Sequence, residues 1–279
     1  MDQRIDTSEM ESQYLSMFFS VVSALISITF LLAEYFQTLE MEVALIWPTA
    51  WGRTKVLYFV ARFLPFLTTP VTVYYNLVTN PTPSSCQFMF SIGYAVGAFI
   101  CAAVAELVVY ARIYALAGRR KTVFWFLFAN SVIVFVGGIS LVALHAVSGS
   151  WHPSQFAPTV PGCFSDLPVN ATLVVSAFAI LLYSNLLTMC ISVYYGLRVF
   201  WALRHRFLIR IFYRDGTFYF TGSAALSITN AVLALMLPPR YRFLFTLPQV
   251  VMHSTLSTRM ILHLREGAKR DETLPTIHV

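Results

Sequence analysis

Arg62 lies inside the otherwise apolar segment KVLYFVARFLPF, residues 55–66, with Pro65 three positions further on. A guanidinium in a bilayer is costly unless it is paired or reaches water. The expected partner is Glu106, in a buried Arg62–Glu106 ion pair between two helices, with Glu34 as the competing acid. Snorkelling of Arg62 to the interface and direct contact with a ligand are the other readings. The remaining polar side chains inside apolar runs include Asn130, Asn185, Asn230 and His253. Asn185, Asn230 and His253 are the candidate ligand-binding residues, and they are equally the kind of residue that hydrogen-bonds between membrane helices. The six histidines, at 145, 152, 205, 253, 263 and 278, show no clustered ligand spacing and no HExxH-like element. No metal site, no cofactor and no enzymatic activity is therefore expected.

These residues sit in a chain of 279 residues that is 57% hydrophobic and 11% charged. A soluble domain carries about 25% charged residues. Several apolar runs exceed the ~18 residues that mark a membrane helix. The spacing predicts an all-α integral membrane protein, a bundle of seven transmembrane helices near 14–36, 55–78, 88–116, 122–147, 171–199, 217–237 and 243–264. Residues 1–13 form an outer amino-terminal tail, 14–266 the membrane domain and 267–279 a cytoplasmic tail. The polar, net acidic start lacks the basic region and cleavage site of a secretory signal, so the first span is expected to stay as an anchor.

Basic residues orient the bundle. Arg53, Lys55, Arg119, Arg120, Lys121, Arg198, Arg204, Arg206, Arg210, Arg214, Arg265, Lys269 and Arg270 fall on one side, against Arg4, Arg240 and Arg242 on the other. The amino terminus is then outside and the carboxyl terminus cytoplasmic. The +6 net charge follows from this topology and an anionic inner leaflet, so membrane lipids are partners and nucleic acid is not. Arg62 is seven residues past Lys55 and Glu106 ten before Leu116, which puts both roughly 10 Å or more in from the inner boundary. Arg112 and Arg259, nearer the helix ends, read as snorkelling or surface residues, and Pro248 as a kink in the seventh helix.

Cys86 and Cys163 both fall outside, where a disulfide is permitted. Such a bridge would tie the long outer loop to the third helix and contribute about 4 kcal/mol in the chain-entropy account. The alternative is two free, small apolar side chains. The sequon Asn170-Ala171-Thr172 is also outside, a candidate glycosylation site close to the fifth helix. Arg206, Arg210 and Arg214 recur every four residues and would form one basic cytoplasmic helical face, suited to anionic lipid or an acidic partner. Plain positive-inside topology accounts for them as well.

The run EYFQTLEMEVALIWPTAWGRTKVLYFVARFLP, from Glu34 to Pro65, resembles the signature of a large family of uncharacterised seven-helix membrane proteins from mushroom-forming fungi. The matching elements are Thr38-Leu39, Glu42-Val43, Trp47, Lys55, Leu57, and Arg62 with Pro65. Later echoes are Arg112 with Tyr114, Arg214-Asp215-Gly216, and Arg259-Met260. Glu34 stands where an aspartate is usual, and Phe63 where a tyrosine follows the arginine. The resemblance implies a seven-helix fold and no established activity.

Receptor-like sensing is the leading functional expectation, with a small ligand in the outer half of the bundle and a heterotrimeric G protein or other effector at the basic inner loops. Tyr110-Ala111-Arg112 is only a loose analogue of a receptor Asp-Arg-Tyr ending, and helix seven has no lysine for a retinal Schiff base. The alternatives are a transporter or channel, for which no inverted repeat or acidic ring is visible, and a structural or accessory membrane role. The plasma membrane is the expected location, with an endomembrane as the alternative.

Overall fold

The computed structural model describes residues 2–148, 151–153, 161–165, 171–203, 206–238 and 241–273. Helix α1 runs Asp2–Leu45 and α2 Arg53–Leu77. A short α3, Pro83–Phe88, passes through a π-helical stretch, Met89–Val96, into α4, Gly97–Leu116. Then come α5, Lys121–Ser148, and a small antiparallel ribbon of β1, Trp151–Pro153, and β2, Cys163–Ser165. Helices α6, Ala171–Leu203, α7, Arg206–Met236, and α8, Thr246–Thr273, complete the described chain.

Among the described residues, five helical segments are long and apolar enough to cross a membrane: Met10–Leu45, Arg53–Leu77, Gly97–Leu116, Lys121–His145 and Thr172–Arg198. Phe36, Leu67, Ile133 and Val136 are among the large apolar side chains left exposed on them, as a lipid-facing surface requires. The sixth expected span is met by a shorter apolar stretch, Thr221–Met236. Helix α8 is polar along much of its length, and Gln249, Ser254, Thr255, Ser257 and Thr258 are turned inward instead. The chain is thus a multipass membrane protein by its helices, with fewer clear spans than seven.

Helix ends depart from expectation in ways that matter for the site. The first helix does not stop near Phe36. It continues to Leu45, so Glu42 is a helical residue; residues 2–13 are helical as well. The segment Met10–Leu45 alone has 36 residues, ~54 Å at the helical rise, well beyond ~30 Å of hydrocarbon. Pro248 kinks nothing. It lies in the first turn of α8, where its missing N–H would have had no intrahelical partner.

Two prolines do fall inside a helix, Pro65 and Pro70 of α2. A proline cannot donate to the carbonyl four residues earlier. For Pro65 that carbonyl is Ala61 O, and Ser254 Oγ of α8 donates to it at 2.5 Å. Thr69 and Thr72 return their hydroxyls to Pro65 O and Thr68 O at 2.6 and 3.1 Å. The carbonyl freed by Pro65 is thus satisfied by a side chain of α8 without water.

The helices pack α1 on α2 and α8, α2 on α4 and α8, α4 and α5 on α6, and α6 and α8 on α7. One core joins Ile46, Tyr58, Ile113, Val123 and Leu262 around the α1–α2 and α4–α5 turns, here the Glu42 end. At the opposite, Cys86 end, Cys86, Phe90 and Cys163 form one cluster and Val174, Phe178 and Ala234 another, with Phe243 packed on both.

Candidate functional site

The Glu42 end holds a chain of charges built by α1, α2 and α8. Arg62 Nε lies 3.1 Å from Glu42 Oε2, with 5% and 1% of the two side chains exposed. The Nε–H is not aimed along that line, so the contact is an ion pair rather than a linear hydrogen bond. Arg62 spends a directed N–H on Tyr35 O at 3.0 Å, and its guanidinium sits 4.8 Å from the centroid of the Tyr35 ring. Glu42 is completed by two donors, Tyr58 Oη to Oε2 at 2.9 Å and Trp47 Nε1 to Oε1 at 3.2 Å. Removing two charges from water is repaid only when such extra donors satisfy the remaining lone pairs.

The expected Arg62–Glu106 pair is therefore replaced by Arg62–Glu42. Glu34, the competing acid, is taken by Arg259 of α8. Its Nε and a terminal nitrogen meet the two carboxylate oxygens at 2.6 and 3.0 Å, a bidentate fork. Arg259 does not simply snorkel, and Arg112 is buried, not a surface residue.

The turn after α1 is held by cations. Lys55 Nζ donates to Trp47 O and Thr49 O at 2.9 and 2.8 Å and lies 4.8 Å from the Trp51 ring centroid. Arg265 of α8 donates to Leu45 O and Thr49 Oγ1 at 3.1 and 2.9 Å. Basic groups on the last carbonyls of a helix satisfy orphan acceptors and complement its dipole.

At the Cys86 end, Cys86 and Cys163 form a disulfide with Cα atoms 5.6 Å apart. Beside Cys163, Gly162 takes φ +105° and donates its N–H to Val78 O at 2.8 Å. A Cβ there would approach Asn76 O to 2.8 Å, so this close backbone contact needs glycine. The rings of Phe90, His145 and Phe243 meet pairwise edge-on or tilted, with centroids 5.3–5.7 Å apart, and they help to wall a cavity of about 100 Å³. Its other walls include Phe99, Val174 and Phe178, with polar positions at Thr246, Gln249 and His253.

Of the three candidate ligand residues, His253 faces this cavity, and Asn185 and Asn230 do not. His253 Nε2 is 2.7 Å from Ser223 Oγ of α7. Asn230 Nδ2 donates to Gln249 Oε1 at 2.6 Å, and Gln249 Nε2 donates to Ser227 Oγ at 2.9 Å. Ser223, Ser227 and Asn230 lie at helical spacing on α7 and meet Gln249 and His253, four apart on α8. Asn185 is buried on α6, and its Nδ2 has no hydrogen-bond partner among the described residues. The residue that sequence reasoning missed is Gln249. Its i, i+4 spacing to His253 on one helical face would have found it.

Glu106 belongs to a separate network with Tyr110, Asn130 and Ser184. Asn130 Nδ2 donates to Tyr110 Oη at 2.7 Å, Tyr110 Oη and Ser184 Oγ are 3.1 Å apart, and Tyr110 Oη reaches Glu106 Oε2 at 3.4 Å. Arg206, Arg210 and Arg214 are on the first turns of α7; their side chains fall outside what the structure describes. Asn170 also lies outside the described residues. Among the described residues no group of three or more His, Cys, Asp or Glu side chains is placed to hold a metal.

Residues 22–67 match a family model described as a family of unknown function (DUF6533). The match covers much of α1 and the first part of α2, and with them Glu34, Tyr35, Glu42, Tyr58 and Arg62. No curated protein matches the chain.

Proposed function

We propose that this protein is a receptor-like seven-helix membrane protein, with the Cys86 end outside, that senses a small apolar molecule. The observation that carries this reading is the cavity at the Cys86 end and the hydrogen bonds beside it. Pockets for small molecules are mostly apolar with a few placed polar groups, and this one has Gln249 and His253 on α8 among its walls. Those two side chains are also the ones bonded to α7. A ligand that moved them would shift α7 against α8. The far end of α7 carries Arg206, Arg210 and Arg214, a basic segment fitted to an acidic effector surface or anionic lipid. A ligand can shift such a packing only through its differential affinity for two arrangements.

The test uses the full chain reconstituted in lipid nanodiscs with heterotrimeric G proteins and a panel of small apolar molecules. Guanine-nucleotide exchange is expected to rise with one of them, and to fall back when Arg206, Arg210 and Arg214 are neutralised or the cavity is filled by Ala177→Phe, at one of its α6 wall residues. A molecule that binds and is carried across sealed vesicles without any exchange response would favour transport.

A further inference from the structure

We propose a second binding site, at Glu106, for a lipophilic amine that enters from the bilayer. Glu106 lines a crevice of about 140 Å³ between α4, α5 and α6. Its Oε2 has the 3.4 Å contact from Tyr110, and its Oε1 is buried with no hydrogen-bond partner among the described residues. Among the described residues, Ser184 and Tyr110 are the side chains acting on the carboxyl. The charges of Arg62 and Arg259 are committed elsewhere, to Glu42 and Glu34. A buried carboxylate without a counter-charge is unfavourable, and a cation that brings its own N–H removes the deficit.

The rest of the crevice says what that cation must be attached to. Its walls include Ile100, Val104, Leu107, Val134 and Phe135. Ile100, Leu107 and Phe135 are 39%, 44% and 43% exposed, so the rim lies on the apolar outside of the bundle, where lipid chains run. A metal ion or a hydrated cation would find one carboxylate and a hydrocarbon wall. A protonated amine on an alkyl chain matches both parts, with nitrogen on Oε1 and chain along the rim. The crevice shares Phe99 and Leu181 with the cavity at the Cys86 end but has its own polar group and its own opening.

The test is carbodiimide labelling of the full chain in nanodiscs. Dicyclohexylcarbodiimide reaches carboxyls from lipid and adds whole to the acid, leaving an N-acylurea that peptide mass spectrometry locates. Glu106 is expected to be labelled, and N,N-dimethyldodecylamine is expected to lower that labelling about tenfold. This tertiary amine has one N–H when protonated and forms no amide with the activated acid. Dodecanol, sodium chloride and dodecyltrimethylammonium, which lacks the N–H, are expected to leave labelling unchanged. Absence of label at Glu106, or equal protection by any of the three controls, would overturn the proposal.

Discussion

Arg62 of α2 and Glu42 of α1 form an ion pair at 3.1 Å in which both side chains are almost wholly buried. The pair is level with Tyr58, whose hydroxyl shares Glu42 Oε2, and is covered by Tyr35. Breaking such a pair from one side strands a charge, which costs about 3–5 kcal/mol. Arg62→Ala and Glu42→Gln should each lower stability by about that amount in detergent or nanodiscs, and the double change should cost less than the two together. Arg62→Ala combined with Glu106→Gln should be additive within ~0.5 kcal/mol. Coupling in the second cycle but not the first would reject the assignment.

Arg259 and Glu34 present the contrasting case. The fork is better formed, yet 37% of the Arg259 side chain is exposed, and screened pairs contribute about 0–1 kcal/mol. Arg259→Ala should therefore cost about 1 kcal/mol, several-fold less than Arg62→Ala. Arg259→Lys should recover little of it, because a point ammonium cannot reproduce the two parallel hydrogen bonds. Equal melting losses for the two arginines would contradict this ranking.

Apolar runs and turn residues made the long helices legible in the sequence, and charge sidedness placed Cys86 and Cys163 together. The partner of Arg62 is not legible, because the apolar run of the first span ends near Phe36 and Glu42 lies beyond it. A charge just past an apolar run looks like a loop residue unless the helix is known to continue. Depth along the bundle did bring Arg62 and Glu106 to similar levels, but depth says nothing of rotation. Which face of α4 turns toward α6 decides that Glu106 and Tyr110, one turn apart, meet Ser184. Helix α8 is harder to read as a span for a similar reason. Its apolar residues are interleaved with inward-facing Ser254, Thr255, Ser257 and Thr258.

The disulfide closes a loop with a sequence separation of 77. Chain entropy assigns about 4 kcal/mol to a loop of this size, an upper value here because a denatured state held in lipid keeps its helices. Replacing Cys86 and Cys163 by serine should lower the melting temperature, and reducing the wild type should lower it by the same amount. A reductant that further destabilises the double serine variant would show that another thiol chemistry is responsible.

Ser254 and Pro65 offer the sharpest test of how α2 and α8 are joined. Ser254 Oγ satisfies Ala61 O, the carbonyl that Pro65 leaves without its helical donor. Ser254→Ala should strand that buried acceptor and cost about 1–3 kcal/mol. In a Pro65→Ala background the restored N–H at position 65 can donate to Ala61 O, so the same serine substitution should cost much less. The measurement is a double-mutant cycle on unfolding, with amide hydrogen exchange at position 65 read in the Pro65→Ala chain. Protection of that amide should rise when Ser254 is removed. Equal costs in the two backgrounds would mean that Ser254 acts through packing, and that the proline and the serine are independent.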